Sequence, residues 1–269
     1  MQQPHLAIAP GKSIKKSIFI TIMRFLDIVG YAFVFAFLLM LIVPVHSNSY
    51  IIENNQHQKI MFEGMIHISP PQYYHGIGEE IAEKMPSNST IYIEGIRPDN
   101  DDPEHEVNPT SANKRTPDIN DIYSNFAKKS GLILQDYNIV LQPTIKKNPH
   151  IKDVDVTEKE IAHTINTQTN KMNKQQSTIF NISNKPYIIR AILRLSLHKS
   201  ALFNRYDYTN NNDPIIGQRN ARIIHDMQKH RTAFNVVIYG NEHWKNLFYQ
   251  LKQQDPTWHI IYQGTHTGF

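Results

Sequence analysis

The longest pattern in the chain is an apolar one, because almost every side chain from residue 28 to residue 45 is hydrophobic. An α-helix needs about 20 such residues to cross the hydrocarbon core of a bilayer. A buried core helix is the alternative, but a helix in a soluble protein normally keeps one polar face, and this stretch has none. The run therefore predicts one N-terminal transmembrane helix.

Charges around this run indicate which way it crosses the membrane. Lys12, Lys15 and Lys16 lie before it, and only Glu53 follows it closely. The positive-inside rule then leaves the N-terminus in the cytoplasm and the bulk of the chain outside. Cleavage near residue 46 as a signal peptide is the alternative and would give a secreted or periplasmic protein. We predict, in chain order, a basic cytoplasmic tail at 1–16, an uncleaved transmembrane signal-anchor at 17–46 and a folded domain at 50–269.

A shorter pattern occurs twice beyond the anchor. An apolar run typical of a β-strand reaches Gly64 and is followed at once by His67. The same spacing recurs at Gly240 and His243, after another β-rich run. A strand pattern that is interrupted by glycine ends in a turn. Both histidines are therefore predicted to lie where a strand stops, with their side chains able to point into a cleft.

The segment around His67 has the pattern of a β-α-β unit. Apolar residues recur at spacings of three and four through residues 71–84, which is typical of an amphipathic helix. A second short strand follows at 89–93 and ends at Glu94. Such a unit favours a parallel pair whose carboxyl ends share one sheet edge, where open α/β sheets bind ligands. We therefore expect His67 and Glu94 at the same edge.

Helix and strand patterns continue to alternate up to the C-terminus. Further elements are predicted as helices at 121–129, from 157, at 186–204, after 214 and at 242–253, and as a last strand at 258–262. The pattern at 132–142 fits neither type, and the polar stretch at 164–184 predicts a surface excursion. The predicted fold class is α/β, a single domain with a mixed, mostly parallel sheet flanked by helices, preceded by one N-terminal transmembrane helix.

Composition narrows the classes of function. The chain has 269 residues, of which 40% are hydrophobic and 19% charged, and this balance is globular rather than disordered. The formal net charge of +4 is modest and lies partly in the N-terminal tail, so we expect no nucleic-acid partner. The absence of cysteine excludes disulfides, thiolate metal sites and a cysteine nucleophile.

The paired histidines, together with one carboxylate, suit a divalent metal ion. A single Gly-x-x-His segment occurs by chance and its histidine is more often structural, but two copies at strand ends are stronger evidence. His67, His243 and Glu94 would leave one position open for a water molecule, whose pKa the ion would lower. Arg219 could hold a substrate carboxylate or stabilise an oxyanion, and an ordinary surface ion pair is an equal alternative.

A series of short motifs between about residues 62 and 262 resembles one protein family. In chain order the motifs are Gly64-Met65-Ile66-His67, Ile93-Glu94-Gly95, residues 127–132 with Gln135, Val154-Asp155-Val156, Arg219-Asn220 with Met227, and Gly240-Asn241-Glu242-His243. Their order and rough spacing resemble the TraB/GumN/Tiki group of metalloproteases. The chain departs from the usual pattern of that group at Trp244 and in the polar stretch at 164–184.

The resemblance implies an α/β fold with its reactive side chains around a central cleft. On this basis we predict catalytic roles for His67, Glu94, Arg219 and His243, and a divalent metal ion held by His67, Glu94 and His243. The predicted function is a membrane-anchored, extracytoplasmic, metal-dependent hydrolase of peptide or protein substrates. Other members of the group resemble haem-binding lipoproteins or erythromycin-esterase-like enzymes. A non-catalytic haem- or metal-binding protein, or an inactive relative, is therefore the alternative.

Overall fold

A computed structural model describes most of the chain. The described residues are 12–95, 117–157, 160, 186–204 and 214–269. The chain divides into two compact units, Met1–Val43 and Pro44–Phe269. The predicted surface excursion at 164–184 and most of the basic tail at 1–16 lie outside the described residues.

The first unit contains one long helix, α1, which spans Lys12–Ile42. Large apolar side chains along it are exposed, among them Phe25, Ile28 and Ile42. Within the part of the chain that the structure describes, no helix combines the length and the apolar character that a membrane crossing requires. The transmembrane signal-anchor at 17–46 therefore stays a prediction.

The second unit alternates strands with helices. Its strands are β1 His46–Glu53, β2 Lys59–Met65, β3 Ile68–Ser69, β4 Thr90–Ile93, β5 Ile133–Leu134, β6 His150–Lys152, β7 Phe234–Gly240 and β8 His259–Thr267. Its α-helices are α2 Pro71–Lys84, α3 Pro117–Ser130, α4 Tyr137–Leu141, α5 Pro186–Asn204, α6 Pro214–His230 and α7 His243–Gln254, with a 3₁₀ helix at Gln142–Lys147.

Six of these strands form one sheet in the order β6-β4-β7-β2-β1-β8. The pairs β6–β4, β4–β7 and β7–β2 are parallel, and the pairs β2–β1 and β1–β8 are antiparallel. Strands β3 and β5 form a separate two-stranded sheet. The α/β class, with a mixed and mostly parallel sheet flanked by helices, is therefore confirmed for this unit.

The position of β7 corrects the predicted β-α-β unit. Strands β2 and β4 are parallel and end at one edge, but they are not neighbours, because β7 lies between them. Every residue of β7 is buried, and its apolar side chains suit a strand that is covered on both faces. The crossover through α2 therefore skips one position in the sheet.

The two faces of the sheet pack against different helices. Val236 and Ile238 of β7 belong to a buried cluster that includes residues of α2 and α4. The alternate residues Val237 and Tyr239 belong to a second cluster that includes residues of α6 and α7. Each fully buried aliphatic side chain contributes roughly 1.5–3 kcal/mol relative to an exposed one. The candidate site lies at the carboxyl ends of the parallel strands, where residues of α6 and α7 reach the edge of the sheet.

Strand β1 is an element that the sequence pattern did not predict. Its inward positions include Ser47 and Ser49, which are fully buried although they are polar. Ser47 accepts a hydrogen bond from the Tyr73 hydroxyl at 2.7 Å, and Ser49 donates to Glu63 Oε1 at 2.6 Å. These bonds satisfy the buried hydroxyls, so the strand lacks the apolar alternation by which half-buried strands are recognised.

Candidate functional site

Four residues that the sequence singled out lie at the carboxyl edge of the parallel strands. Glu94 directly follows β4, and His67 follows β2 by two positions. His243 is the first residue of α7, three positions after the end of β7. Arg219 reaches the same place from α6, where it contacts both Glu94 and His243. The structure thus brings together residues from four separate segments of the chain.

Arg219 lies between two carboxylates. Its Nη2 donates to Glu94 Oε1 at 2.9 Å, and its Nε donates to Asp155 Oδ1 at 2.7 Å. Nη2 also donates to Asp155 Oδ2, so the carboxylate of Asp155 holds the guanidinium through both of its oxygens. Backbone N–H groups of Gly95 and Val156 donate to Asp155 in turn. The Nη1 of Arg219 remains directed at His243 Nε2, 3.4 Å away.

Glu94 and Arg219 both stay charged near neutral pH. Burial alone would raise the pKa of the Glu94 carboxyl, but the nearby charges of His67 and Arg219 hold that pKa well below its usual range. Burial alone would lower the pKa of Arg219, but its bonds to Asp155 and the charge of Glu94 raise that pKa further above its usual value. Neither group gains or loses a proton near neutral pH.

His243 is buried and is held as a neutral imidazole. Its Nδ1 lies 2.8 Å from Asn220 Oδ1, while the amide nitrogen of Asn220 donates to Asn246 Oδ1 at 2.8 Å. The oxygen of Asn220 therefore faces the ring and accepts the proton of Nδ1, so the lone pair lies on Nε2. Burial lowers the pKa of His243 to about 4, against the opposing charge of Glu94.

His67 is exposed and is held by Gln135. Its Nδ1 donates to Gln135 Oε1 at 2.6 Å, and the backbone N–H of Gln135 donates to the carbonyl of His67 at 2.8 Å. Two imidazoles thus line one edge, one reached by solvent and one enclosed.

The glycine of each Gly-x-x-His segment makes room for the other segment. A Cβ on Gly64 would collide with Asn241 Oδ1 and would lie 2.9 Å from the carbonyl oxygen of Asn48. A Cβ on Gly240 would lie 3.4 Å from His67 Nε2 and 3.5 Å from Glu94 Oε2. Gly64 therefore permits the packing of the two segments, and Gly240 leaves open the space between the reactive groups.

Three further residues support the site but were given no role in the sequence analysis. Asp155 orients Arg219, Asn220 orients His243 and Gln135 orients His67. Each of them occurs in the motif series that carries the family resemblance, so that series held a signal. Their roles were not evident because each acts on a residue 23 or more positions away in the chain.

The donor set fits a divalent metal ion in its chemistry. Each imidazole has its Nδ1 on an amide oxygen, as metal-binding histidines do, but Nε2 of His243 faces Arg219 Nη1 at 3.4 Å. His243 Nε2 and Glu94 Oε1 are 3.9 Å apart. The ligand atoms of His67, Glu94 and His243 do not all lie within 4.8 Å of one another. Metal–ligand distances near 2 Å would draw them together to within about 4 Å.

Among the described residues, one group does bring three potential ligands within 4.8 Å of one another, namely Glu63, Glu80 and His266. His266 Nε2 lies 3.2 Å from Glu63 Oε2 and 2.9 Å from Glu80 Oε2. Burial alone would lower the pKa of His266, but bonds to both glutamates raise it to about 9. Lys84 adds a second positive charge 2.6 Å from Glu80. The cluster is therefore neutralised by its own cations.

Comparison with known proteins adds no relative to this picture. No protein-family model matches the chain, and no curated protein and no solved structure matches it either. The resemblance to the TraB/GumN/Tiki group therefore rests on the series of motifs alone.

Proposed function

We propose that this chain is a membrane-anchored, extracytoplasmic hydrolase of peptide or protein substrates, related to the TraB/GumN/Tiki group. One observation carries the proposal. His67, Glu94, Arg219 and His243 come from four separate segments and lie together at the edge of the sheet where α/β folds bind ligands. Their side chains offer two imidazoles, of which the buried one of His243 is neutral, together with a carboxylate and a guanidinium cation at one sheet edge.

Arg219 is the group that stabilises negative charge. Hydrolysis of an amide passes through a tetrahedral intermediate whose oxygen carries a negative charge, and fixed donors aimed at that oxygen lower the barrier. Asp155 and Glu94 bind the Nε and Nη2 of Arg219, so Nη1 is the nitrogen that faces the cleft beside His243. Because Nε and Nη2 are committed, Arg219 suits an oxyanion better than bidentate capture of a substrate carboxylate.

The two imidazoles are the groups that receive a proton or a metal ion. An imidazole can bind a divalent ion or accept the proton of an attacking water molecule, and the second role falls to His67, because burial lowers the pKa of His243 to about 4. His67, Glu94 and His243 would hold such an ion, which would polarise the substrate carbonyl and acidify a water molecule. Glu94 itself is a poor proton acceptor, because its pKa is held far below neutral. Its role is to supply charge and to hold Arg219.

Membrane anchorage is the second part of the proposal. The apolar run at residues 28–45 and the lysines before it favour one crossing with the α/β unit outside the cytoplasm. A reporter enzyme that is active only outside the cytoplasm, fused after Phe269, should then be active. Activity of a cytoplasm-specific reporter at the same position would contradict this orientation.

A non-catalytic binding protein is the second candidate function, and one observation favours it. Both oxygens of Glu94 already have partners, because Oε1 accepts from Arg219 and Oε2 accepts from the backbone N–H of Gly240 at 2.6 Å. A cleft whose charges are paired in this way could hold a metal ion or a haem group without turning over a substrate. A hydrolysis assay separates the two candidates, whereas metal content alone does not.

The test compares three histidine variants of the full chain on a panel of peptides. His67→Ala and His243→Ala should each lower kcat by at least about 100-fold, because each removes a lone pair at the reacting centre. His75→Ala is the matched control, because His75 is an exposed histidine on α2 and should retain full activity. Circular dichroism should show that all three fold. Wild-type activity that persists in both cleft variants would reject the proposed function.

A further inference from the structure

Tyr239, which neither the motifs nor the proposed mechanism uses, lies directly beneath the cleft. It is the last residue but one of β7, and its side chain is fully buried on the face that packs against α6 and α7. Its ring lies 5.1 Å from the imidazole of His243 in an edge-on arrangement at 66°. The same ring lies 5.6 Å from Cζ of Arg219. One aromatic ring therefore contacts two of the four cleft residues.

The contacts of Tyr239 are made by the ring and not by the hydroxyl. Among the described residues, the Tyr239 hydroxyl is buried and has no hydrogen-bond partner. A ring face attracts a guanidinium through its quadrupole, and an edge-on aromatic pair is a favoured geometry. The role of the ring can therefore be distinguished from that of the hydroxyl by comparing a substitution that removes only the hydroxyl with one that removes the ring.

The hydrogen bonds of Arg219 leave one of its motions open. Asp155 and Glu94 both bind the side of the guanidinium that carries Nε and Nη2. Among the described residues, Nη1 contacts only His243 Nε2, at 3.4 Å, so this weak contact alone opposes a rotation that would carry Nη1 away from His243. The Tyr239 ring lies against the guanidinium and also against the imidazole, so it limits both groups together.

We propose that Tyr239 is a positioning residue, whose ring holds the guanidinium of Arg219 and the imidazole of His243 in their mutual geometry. The inference rests on the proposed function of the cleft, since positioning matters only if those two groups act. The residue that carries the ring belongs to β7, whereas Arg219 belongs to α6 and His243 to α7. Tyr239 thus fixes the helices to the sheet at the point where the chemistry takes place.

The experiment compares Tyr239→Phe with Tyr239→Leu in the full chain. Tyr239→Leu should lower kcat by about 10- to 100-fold with a change in KM of less than about threefold, because a small displacement of oriented groups slows the chemical step. Tyr239→Phe keeps the ring and should recover most of the wild-type kcat. Tyr92→Leu is the matched control, because Tyr92 is a fully buried tyrosine of the same cluster on β4.

A second measurement does not depend on activity. In a chain labelled with ¹⁵N-arginine, the Nη1 resonances of Arg219, assigned by their loss in Arg219→Lys, should be resolved because the guanidinium is held against rotation. Their resolved lines and slow exchange should persist in Tyr239→Phe and Tyr92→Leu and be lost in Tyr239→Leu. If wild type proves inactive, the proposed function fails while this measurement still decides the positioning.

Two results would overturn the inference. Equal losses of kcat in Tyr239→Phe and Tyr239→Leu would show that the hydroxyl matters and the ring does not. An unchanged Arg219 resonance in Tyr239→Leu would show that the ring does not hold the guanidinium. If Tyr239→Leu does not fold, Tyr239→Met supplies a flexible side chain of similar volume without a ring, and the same outcomes apply.

Discussion

The two Gly-x-x-His segments share one spacing, but the structure gives them opposite environments. His67 is exposed and is followed by the short strand β3, whereas His243 is buried and begins the helix α7. Gln135 orients the first imidazole and Asn220 orients the second. The comparison teaches that an identical local pattern fixes where a side chain lies along a strand end, while distant residues decide its burial and its charge.

The glycines of the two segments differ in the same way. Gly64 lies within β2 and has the Asn241 side chain against it, so it is a packing residue. Gly240 ends β7 and faces His67 and Glu94, so it is a residue of the cleft. The first segment therefore contributes an accessible imidazole on a tightly packed strand, and the second contributes an enclosed imidazole beside an open space.

The largest expected effect concerns pH and the buried imidazole of the second segment. Burial depresses the pKa of His243 in the folded protein to about 4, from 6.5 in the unfolded chain. The unfolded chain then binds more protons between these values. The free energy of unfolding is therefore highest above about pH 6.5 and falls as pH drops towards 4. His243 accounts for a loss of at most roughly 3 kcal/mol.

Urea unfolding at pH 7.5 and at pH 4.5 measures this effect. Because other groups also titrate in that interval, the informative quantity is the difference between wild type and His243→Gln. The free energy of unfolding of wild type should fall more steeply towards low pH than that of the variant. Parallel pH profiles would show that His243 is not a buried neutral group, and the contrast with His67 would then disappear.

Alanine at the two glycines should separate packing from chemistry. Gly64→Ala should lower the free energy of unfolding by about 1–3 kcal/mol, because the new Cβ lies too close to Asn241 and to the backbone of Asn48. Gly240→Ala meets ordinary contact distances, so its stability should change by less than about 1 kcal/mol, while kcat falls because the methyl group fills the cleft. Thermal unfolding and peptide hydrolysis, measured on both variants, test whether Gly64→Ala mainly lowers stability and Gly240→Ala mainly lowers kcat. Equal effects of both substitutions on stability would remove the distinction.

The last expected effect, similar in size to that of Gly64→Ala, concerns the hydrogen bonds that hold the imidazoles. Asn220→Ala removes the acceptor of the buried His243 Nδ1–H and should destabilise the fold by about 1–3 kcal/mol. Gln135→Ala removes the acceptor of the exposed His67 Nδ1–H, where water can replace it, so the free energy of unfolding should change by less than about 1 kcal/mol. Urea denaturation of both variants measures the difference. A larger loss of unfolding free energy in Gln135→Ala than in Asn220→Ala would contradict the conclusion that the hydrogen bond of His243 is buried and that of His67 is exposed.

Local patterns were sufficient to predict most helices and the strands β2, β4 and β7, whereas β8 extends to Thr267, beyond the predicted end at 262. The runs that form β2, β4 and β7 are apolar and end at glycine or at a charged residue, so their carboxyl ends could be located. Gly131 ends α3 with φ at +65°, a conformation that glycine adopts readily. Information of this kind lies within a few residues of each boundary, which is why sequence alone supplies it.

What could not be predicted depends on pairings between distant segments. The insertion of β7 between β2 and β4 joins segments that no local pattern connects, yet it is the reason why Gly240 faces both His67 and Glu94. The burial of His243 and the partnership of Arg219 with Asp155 depend on α6 in the same way. The candidate residues were thus identified from the sequence, whereas their protonation and orientation required the fold.

The pairing of β8 with β1 has a consequence for how the molecule is made. The side chains of Thr267 and His46 meet across 221 positions, so the first strand of the sheet receives its second neighbour from the end of the chain. Contacts over such separations form slowly, and a strand edge that waits for its neighbour is open to pairing with other chains. During synthesis, β1 has only β2 beside it until β8 has emerged. A chain shortened before β8 would keep that edge exposed and would aggregate rather than fold.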